Sequence, residues 1–266
     1  MIVELVCVGS ELLSGITLNS NAHWLAGQIA QSGGILRRVT VVKDDLGEIS
    51  SAVRESLARS PDLLITTGGL GATYDDMTLE AVAEALGRKT SVDQNAVEML
   101  KRSYARRGLD YELNEVRLKM ATIPDGAAPL ENMVGSAPAV KIELEKSSIF
   151  CLQGVPGEMQ QIFNDYILPA IKKKVGRFFS KEVNCMVRGV TESMIAPALL
   201  RIIDSNPGEA LYLKTHPQGY GENNVPQIRA QVVTRGTDED DVAKRLDAVV
   251  ATLQQEISKL GGKIVS

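Results

Sequence analysis

The sequence predicts an α/β fold: a mostly parallel sheet covered by helices on both faces, followed by a small α+β domain. Three apolar runs, at residues 2–8, 35–42 and 63–67, alternate with helical patterns. This βαβαβα alternation is typical of a parallel sheet with right-handed crossovers. Around residue 176 a new strand–helix–strand pattern starts, which predicts a first domain at 1–175 and a second domain at 176–266.

Composition narrows the classes of function. The 266-residue chain is 44% hydrophobic but only 4% aromatic, which permits an aliphatic core and disfavours base-stacking platforms. Its net charge of −4 is unlike that of a nucleic-acid-binding protein. Because no apolar stretch reaches about 18 residues, we expect no membrane partner. Three scattered cysteines and two distant histidines indicate a reducing cytoplasm, with no zinc and no haem.

The first strand, at residues 2–8, is followed by Ser10 and Glu11. A hydroxyl and a carboxylate at the C-terminal end of a parallel strand lie where open α/β sheets bind ligands. Ser10 could instead cap a turn, with Glu11 solvated. Candidate N-caps for the next helix follow at residues 19–21, and two glycines at 33–34 end that helix.

The second strand, at residues 35–42, also ends in acidic residues, Asp44 and Asp45. Asp45 is interpreted as the N-cap of a helix over about 46–59. Asp44 is left as a further candidate for the ligand site. The third strand, 63–67, then leads directly into the most informative segment of the chain.

That segment is the glycine loop, residues 68–71, which contains Gly68, Gly69 and Gly71. Glycines permit positive φ and close approach of the backbone to a ligand, and their amides attract anions. Asp75 and Asp76 follow and would repel a bare phosphate, so they indicate a divalent metal or a general base. The alternative is a tight strand-to-helix turn in which one of these aspartates is the N-cap.

The rest of the first domain is predicted to add helices and one hairpin. The elements are a helix at 78–86 ended by Gly87, a helix at 91–107 capped by Ser91 or Asp93, a helical stretch within 112–120 after Asn114, and a hairpin of strands 140–145 and 148–152. Pro156 and Gly157 open a last helix to about 174. Its N-terminus would add an anion-attracting end near the sheet.

The second domain is predicted to be a small α+β unit. Its strands are expected at 181–190, 210–215, 227–234 and 263–265, and its helices at 192–204 and 238–259. Residues 217–226, rich in Gly, Asn and Pro, are predicted to form a loop. RNA binding of the KH type would need a Gly-x-x-Gly loop, which this segment lacks. We therefore expect a dimerisation or lid module.

Several motifs occur in an order that resembles the CinA (competence/damage-inducible) family. They are Gly9-Ser10-Glu11-Leu12-Leu13-x-Gly15, Asp44-Asp45, Thr66-Thr67-Gly68-Gly69-Leu70-Gly71 with Asp75-Asp76-x-Thr78, Asn114-Glu115, and Gly154-Val155-Pro156-Gly157-Glu158-Met159. Residues 1–175 resemble the family's N-terminal domain, which is related to MoaB/Mog-type molybdopterin-binding domains. The tail resembles its KH-like domain, and the resemblance implies that the family's C-terminal deamidase domain is absent.

The chain departs from the family pattern at a few positions. Gln153 stands where a proline is usual, Ala139 where a glycine is common and Ala72 where a proline is frequent. Asp75 stands where molybdopterin-binding relatives often carry a basic residue. This difference shifts the expectation from simple anion binding toward metal binding.

For the N-terminal domain, the resemblance implies a metal-dependent nucleotide pyrophosphatase that cleaves ADP-ribose to AMP and ribose 5-phosphate. Asp76 and Asp44 would be catalytic, and Asp75, Asp76 and Glu11 would hold Mg²⁺, Mn²⁺ or Co²⁺. Contacts to substrate or phosphate are expected from Ser10, Glu11, Thr67, Gly68, Gly69, Gly71, Thr78, Pro156 and Gly157.

Two alternatives to hydrolysis stay open. One is a molybdopterin-binding protein or adenylyltransferase of molybdenum-cofactor biosynthesis. The other is a non-catalytic nucleotide-binding module. In each case the partner would be a small nucleotide or pterin, and we expect a homo-oligomer, either a dimer or a trimer.

Overall fold

The computed structural model describes residues 1–108, 114–206, 208 and 210–265. The start of the segment predicted at 112–120 lies outside these residues. Contacts divide the chain into two compact units, Met1–Val175 and Gly176–Ser266, each with its own core. Within the described ranges, every helix is too short or too polar to span a lipid bilayer.

The first unit begins with alternating strands and helices. In chain order these are β1 (Ile2–Val8), α1 (Ser10–Leu13), α2 (Ser20–Gln31), β2 (Ile35–Val42), α3 (Leu46–Ala58), β3 (Leu63–Thr67), α4 (Thr78–Ala85), β4 (Thr90–Val92), α5 (Gln94–Arg106) and α6 (Glu115–Lys119). The unit continues with β5 (Thr122–Pro124), β6 (Ala128–Leu130), β7 (Ala139–Glu143), β8 (Ser148–Leu152), α7 (Pro156–Ile162), a π-helical segment (Phe163–Ile167) and α8 (Leu168–Val175).

Six of these strands form one sheet, in the order β2-β1-β3-β8-β7-β6. Strands β2, β1, β3 and β8 are parallel, whereas β7 pairs antiparallel with both β8 and β6. The predicted mostly parallel sheet is therefore confirmed, and the predicted hairpin is β7 and β8. Parallel pairing brings the C-terminal ends of β1, β3 and β8 to one edge, where open α/β sheets bind ligands.

Alternate side chains of β1 pack against helices on opposite faces of the sheet. Val3, Leu5 and Cys7 pack with α2 and the helical stretch from α7 to α8, while Val6 and Val8 pack with α3 and α4. Each fully buried aliphatic side chain contributes about 1.5–3 kcal/mol. Helices on both faces are thus confirmed, as continuous apolar strands predict.

Side-chain caps fix the starts of four helices of the first unit. Asn19, Asp45, Asp93 and Asn114 each accept a hydrogen bond from the amide three residues further on, at 2.8–3.1 Å. The predicted caps Asp45 and Asp93 are therefore confirmed. Ser91, the alternative cap for α5, lies in β4 instead.

The helix after the glycine loop is not capped by an aspartate. Met77 directly precedes α4 and makes no side-chain cap, so neither Asp75 nor Asp76 is the N-cap. The C-terminal end agrees with the prediction, since Gly87 takes a φ of 64° there. Helix capping therefore does not account for the presence of these two aspartates after the glycine loop.

The second unit is a small α+β region. Its elements are β9 (Phe179–Arg188), α9 (Glu192–Asp204), β10 (Leu211–Tyr220), a 3-10 turn (Glu222–Asn224), β11 (Pro226–Gly236), α10 (Glu239–Lys259) and β12 (Lys263–Val265). The strands form an antiparallel sheet in the order β10-β11-β9-β12. Helices α9 and α10 share one apolar core with this sheet, as predicted.

The loop predicted at 217–226 is wrong in its first part. Strand β10 continues through Pro217 to Tyr220, with an irregularity in pairing between Pro217 and Gly219. Because β10 is at the edge of the sheet, a proline can lie in it without removing a bond from a central ladder. Composition alone did not distinguish an edge strand from a loop.

Candidate functional site

Polar segments meet at the edge of the first sheet where β1, β3 and β8 end. The glycine loop follows β3, and Gln153 follows β8. A main cavity of about 380 Å³ lies beside the loop. Its lining includes Gly69, Leu70, Gly71, Asp76, Arg107, Ser136, Ala137, Gln153, Gly154 and Glu158. This volume is in the usual range for small-molecule pockets, about 300–1,000 Å³.

Two smaller cavities adjoin the main cavity. The second, of about 80 Å³, shares Gly69, Gly71 and Asp76 with it and is also lined by Lys119. The third, of about 110 Å³, shares Gly154 with the main cavity, and its lining includes Glu11, Asn21, Thr67 and Pro156. The glycine loop therefore borders the main and second cavities, and Glu11 belongs to the third.

The glycine loop has a backbone that accepts no side chain at two positions. Gly68 and Gly69 have φ values of 103° and 68°, in the region that favours glycine. A Cβ on Gly68 would lie 2.2 Å from the carbonyl oxygen of Val8, and one on Gly69 would lie 2.3 Å from Thr78 Oγ1. The loop thus packs directly against β1 and the start of α4.

Three residues that were predicted to contact the ligand donate hydrogen bonds to backbone carbonyls of the protein itself. Thr67 Oγ1 donates to the Gln153 carbonyl at 2.9 Å, and Thr78 Oγ1 donates to the Gly68 carbonyl at 2.8 Å. The Gly68 amide donates to the Leu152 carbonyl at 3.0 Å. Because these donors are already paired, Thr67, Thr78 and Gly68 shape the loop, and their phosphate contacts stay predictions.

Gly69 and Gly71 are the glycines whose amides stay available. Within the described chain, neither amide donates to a backbone carbonyl, and both residues line the main and second cavities. Unpaired amides of a glycine-rich loop form an anion-binding concavity. The predicted anion contact therefore depends on these two residues.

Thr73 holds the two aspartates beside the loop. Its amide and its hydroxyl donate to Asp76 Oδ2 at 2.8 and 2.6 Å. The same hydroxyl lies 2.5 Å from Asp75 Oδ1, although its one proton serves one carboxylate at a time. The hydrogen bond from Thr73, supported by the charge of Lys119, holds the pKa of Asp75 below its ordinary value. Asp75 is therefore ionised at neutral pH.

Asp76 is the carboxylate that lines the ligand cavities. A Cβ on Gly71 would lie 2.5 Å from Asp76 Oδ2, so the carboxylate lies against the loop. Lys119 donates to the Thr73 carbonyl and lines the second cavity with Asp76. One cation therefore lies near the acidic pair. Lys119 could not be identified from local sequence patterns, because it is separated from the loop by more than forty residues.

Asp44, predicted to be catalytic, is part of a link between two strands. The Ser10 amide donates to Asp44 Oδ2 at 2.7 Å, and the Asp44 amide donates to Ser10 Oγ at 3.2 Å. Neither residue lines any of the three cavities. Ser10 and Asp44 thus join the segments that follow β1 and β2, and their ligand-binding and catalytic roles stay predictions.

The predicted metal ligands do not form one cluster. Among the described residues, no group of three His, Cys, Asp or Glu side chains could hold a metal ion. Glu11 lines the third cavity, away from the cavities lined by Asp76. A magnesium ion shared with ligand phosphates needs only one or two carboxylates. Asp75 and Asp76, held by the same Thr73 hydroxyl, could supply these ligands, and the metal-binding role of Glu11 stays a prediction.

Of the two predicted binding residues at the start of α7, only Pro156 lines one of the three cavities. Pro156 is in the first turn of α7 and lines the third cavity. Gly157 lines none of the three cavities, and a Cβ there would meet only Val134, at 4.0 Å. No contact of Gly157 in these cavities supports its substrate-binding role, which stays a prediction.

Asn21 is a functional candidate that sequence reasoning missed. Its Nδ2 donates to Thr67 Oγ1 at 3.2 Å and to the Gly154 carbonyl at 2.8 Å. It thereby joins the segments that follow β1, β3 and β8. The only signal in the sequence was the Asn-Ser-Asn run, which also fits a simple N-cap, and Asn19 is in fact that cap.

Residues 131–137 form another wall of the main cavity, and this too was missed. Asn132 Nδ2 donates to the Ala137 carbonyl at 2.9 Å and to the Glu158 carboxylate at 2.6 Å. Arg107 donates to Ser136 Oγ at 2.7 Å. Local sequence patterns do not show the contacts with Glu158 and Arg107, because the paired residues are more than twenty positions apart.

Comparison with known proteins covers most of the chain. A family model described as "Probable molybdopterin binding domain" matches residues 4–173. A protein of Metallosphaera sedula is 35% identical over 261 residues, covering 98% of this chain and 96% of the relative. One of Sulfolobus acidocaldarius is 38% identical with the same coverage. The solved structure of "the protein CinA with unknown function" from Thermoplasma acidophilum is 37% identical with a TM-score of 0.58, covering 65% of this chain and 97% of that one.

Proposed function

The chain belongs to the molybdopterin-binding domain family and its first unit is CinA-like, and from this premise we propose that this unit binds a phosphorylated pterin of the molybdopterin type. The phosphate would lie against the amides of Gly69 and Gly71, and the ring would occupy the main cavity. The observation that carries the proposal is a cavity of about 380 Å³ directly beside an anion-binding loop.

The two carboxylates beside the loop would repel a phosphate, so a phosphate bound there needs a cation beside it. Asp75 and Asp76 repel an anion, whereas Lys119 beside the second cavity and Arg107 beside the main cavity attract it. A divalent cation shared between the phosphate and the two aspartates would reverse this repulsion. When bound, the ion would neutralise phosphate charge, and Thr73 would keep Asp76 oriented toward it.

A metal-dependent ADP-ribose pyrophosphatase is the second candidate. The specific observation in its favour is a pair of carboxylates, Asp75 and Asp76, held beside a glycine loop. Asp44 adds no observation in its favour, because it bonds to Ser10 and lines none of the three cavities. The family description supports the pterin ligand instead, so we rank hydrolysis of ADP-ribose below it.

One set of assays on the purified full chain separates these functions. We would titrate the protein with 6-hydroxymethylpterin diphosphate, a stable phosphorylated pterin, with and without Mg²⁺. In parallel, ADP-ribose is incubated with Mg²⁺, Mn²⁺ or Co²⁺, and ATP with molybdopterin. We expect saturable binding of the pterin diphosphate, which supports the proposal.

The other products identify the alternatives. Adenylylated pterin formed from ATP extends the proposal to an adenylyltransferase, and pterin binding without turnover limits it to a binding module. Release of AMP from ADP-ribose supports the second candidate. If the pterin diphosphate does not bind, the proposal is wrong.

A further inference from the structure

Gln153 carries a buried hydrogen-bond acceptor that has no partner. The residue directly follows β8, is 5% exposed and lines the main cavity. Its side-chain oxygen, Oε1, makes no hydrogen bond within the described structure. An unpaired buried acceptor costs about 1–3 kcal/mol. Such a group in a cavity wall is a candidate for pairing with a ligand.

The orientation of the Gln153 amide follows from its other contact. Gln153 Nε2 donates to the Ala137 carbonyl at 2.7 Å. A carbonyl oxygen can only accept, so the amide nitrogen must face Ala137 and the amide oxygen must be the unpaired end. The missing partner is therefore a donor, such as an N–H group.

The Gln153 amide can also turn toward a ligand, provided that its NH₂ group finds a new acceptor there. The Ala137 carbonyl accepts a second hydrogen bond, from Asn132 Nδ2 at 2.9 Å, so it stays paired when Gln153 leaves. The terminal torsion of a glutamine is broad and changes at low cost. The backbone of Gln153 is fixed meanwhile, because its carbonyl accepts from Thr67 Oγ1 at 2.9 Å.

We infer that Gln153 is a specificity residue whose side-chain oxygen accepts an N–H of the ligand ring in the main cavity. This inference depends on the proposed function, since it assigns the ring to the main cavity. A pterin ring carries N–H donors, whereas inorganic pyrophosphate carries none. A site that hydrogen-bonds its ligand discriminates strongly against analogues that lack the matching group. Gln153 thus recognises the ring, and the glycine loop recognises the phosphate.

The test compares two probes on Gln153→Met. Methionine is similar in length and offers no strong acceptor, and the Ala137 carbonyl keeps its bond from Asn132. We expect the affinity for 6-hydroxymethylpterin diphosphate to fall about tenfold, the size expected for one hydrogen bond. The affinity for inorganic pyrophosphate should change by less than about twofold. Both are measured by calorimetry on the full chain.

Two further variants guard against a purely structural effect. Gln153→Glu keeps an oxygen acceptor but sets its second oxygen against the Ala137 carbonyl, so the preference for the pterin over pyrophosphate should be partly retained and should exceed that of Gln153→Met. Thr234→Val is the matched control, because it removes a buried hydroxyl that donates to the Val242 carbonyl at 2.9 Å in the second unit. It should leave both affinities unchanged. The fluorescence of Trp24, the single tryptophan, reports whether the first unit is folded.

The outcomes separate this inference from the proposed function. An equal loss for both probes in Gln153→Met, or no loss for the pterin, overturns the role of Gln153 and leaves pterin binding intact. If the original chain binds the pterin diphosphate no more tightly than pyrophosphate, then the pterin proposal fails and the inference fails with it.

Discussion

The acidic side chains at the two ends of the parallel sheet differ in burial and in how many of their acceptors are hydrogen-bonded. Glu4, near the start of β1, is completely buried, and both of its oxygens accept hydrogen bonds from Arg59, with a further one from Arg37. Asp75 and Asp76 follow the other end of β3 and are half-buried and held by Thr73, and Asp76 lines two cavities. A carboxylate whose acceptors are all used stabilises the fold, whereas one with free acceptors can bind a ligand.

The largest effect on stability is expected at the buried end. Glu4→Gln replaces an acceptor with an NH₂ group that faces an arginine, so donors oppose each other and two guanidinium groups lose their counter-charge. We expect the free energy of unfolding to fall by about 3 kcal/mol, the lower end for broken buried pairs, because both arginines keep part of their surface in water. Denaturation followed by Trp24 fluorescence measures it, since Trp24 packs edge-on against Phe163 in the same core.

The control and the pH dependence sharpen this expectation. Glu98→Gln changes a half-exposed ion pair with Lys101 and should cost less than about 0.5 kcal/mol.

Burial raises the pKa of Glu4, but Arg59 and Arg37 outweigh it and hold the pKa below its ordinary value. The stabilisation is therefore complete above the unfolded-state pKa of about 4.3 and is lost as pH falls below it. The difference in the free energy of unfolding between the original chain and Glu4→Gln should therefore narrow below that pH. A constant difference would contradict the charge-based explanation.

A smaller loss of stability is expected at the glycine loop. Gly69→Ala adds a Cβ at a φ of 68°, 2.3 Å from Thr78 Oγ1. We expect a cost of about 2 kcal/mol, roughly half from the left-handed backbone and half from the displaced hydroxyl. Binding of the pterin diphosphate should weaken as well, because the loop must shift. Denaturation and calorimetry measure the two effects.

Gly87→Ala is the matched control for that variant. Gly87 has a φ of 64°, and a Cβ there would meet nothing within 4 Å. It should lose about 1 kcal/mol from backbone strain alone and bind the pterin diphosphate normally. Equal losses of stability in the two variants would show that contact with Thr78 is unimportant.

The sheet and its helices could be predicted because local signals determine them. Apolar runs such as residues 63–67 specify buried strands, and residues such as Asp45 specify helix starts. The same rules failed at Pro217, because whether a strand is at the edge of a sheet depends on pairing with distant residues.

The site could be predicted only in part. Glycines at 68–71 and the acids at 75–76 showed its position, since they are adjacent in sequence. The carbonyls that accept from Thr67 Oγ1 and from the Gly68 amide belong to Gln153 and Leu152, more than eighty residues away. The sequence does not show which polar atoms are already paired, and it therefore could not separate the residues that shape the loop from those that face the cavity. The unpaired oxygen of Gln153 was hidden for the same reason.

The smallest effect on stability, and a strong one on binding, is expected for Asp76→Asn. Asparagine keeps an oxygen that can accept from the Thr73 amide, so the free energy of unfolding should change by less than about 0.5 kcal/mol. With Mg²⁺ present, the affinity for the pterin diphosphate should fall about tenfold, because a contact to the shared ion is lost. Without metal the affinity should stay or improve, because one repulsive charge is removed. Asp247→Asn makes the same charge change on exposed α10 and should alter neither value. An unchanged response to Mg²⁺ would show that Asp76 does not hold the ion, and a large loss of stability would place it with Glu4 among the structural carboxylates.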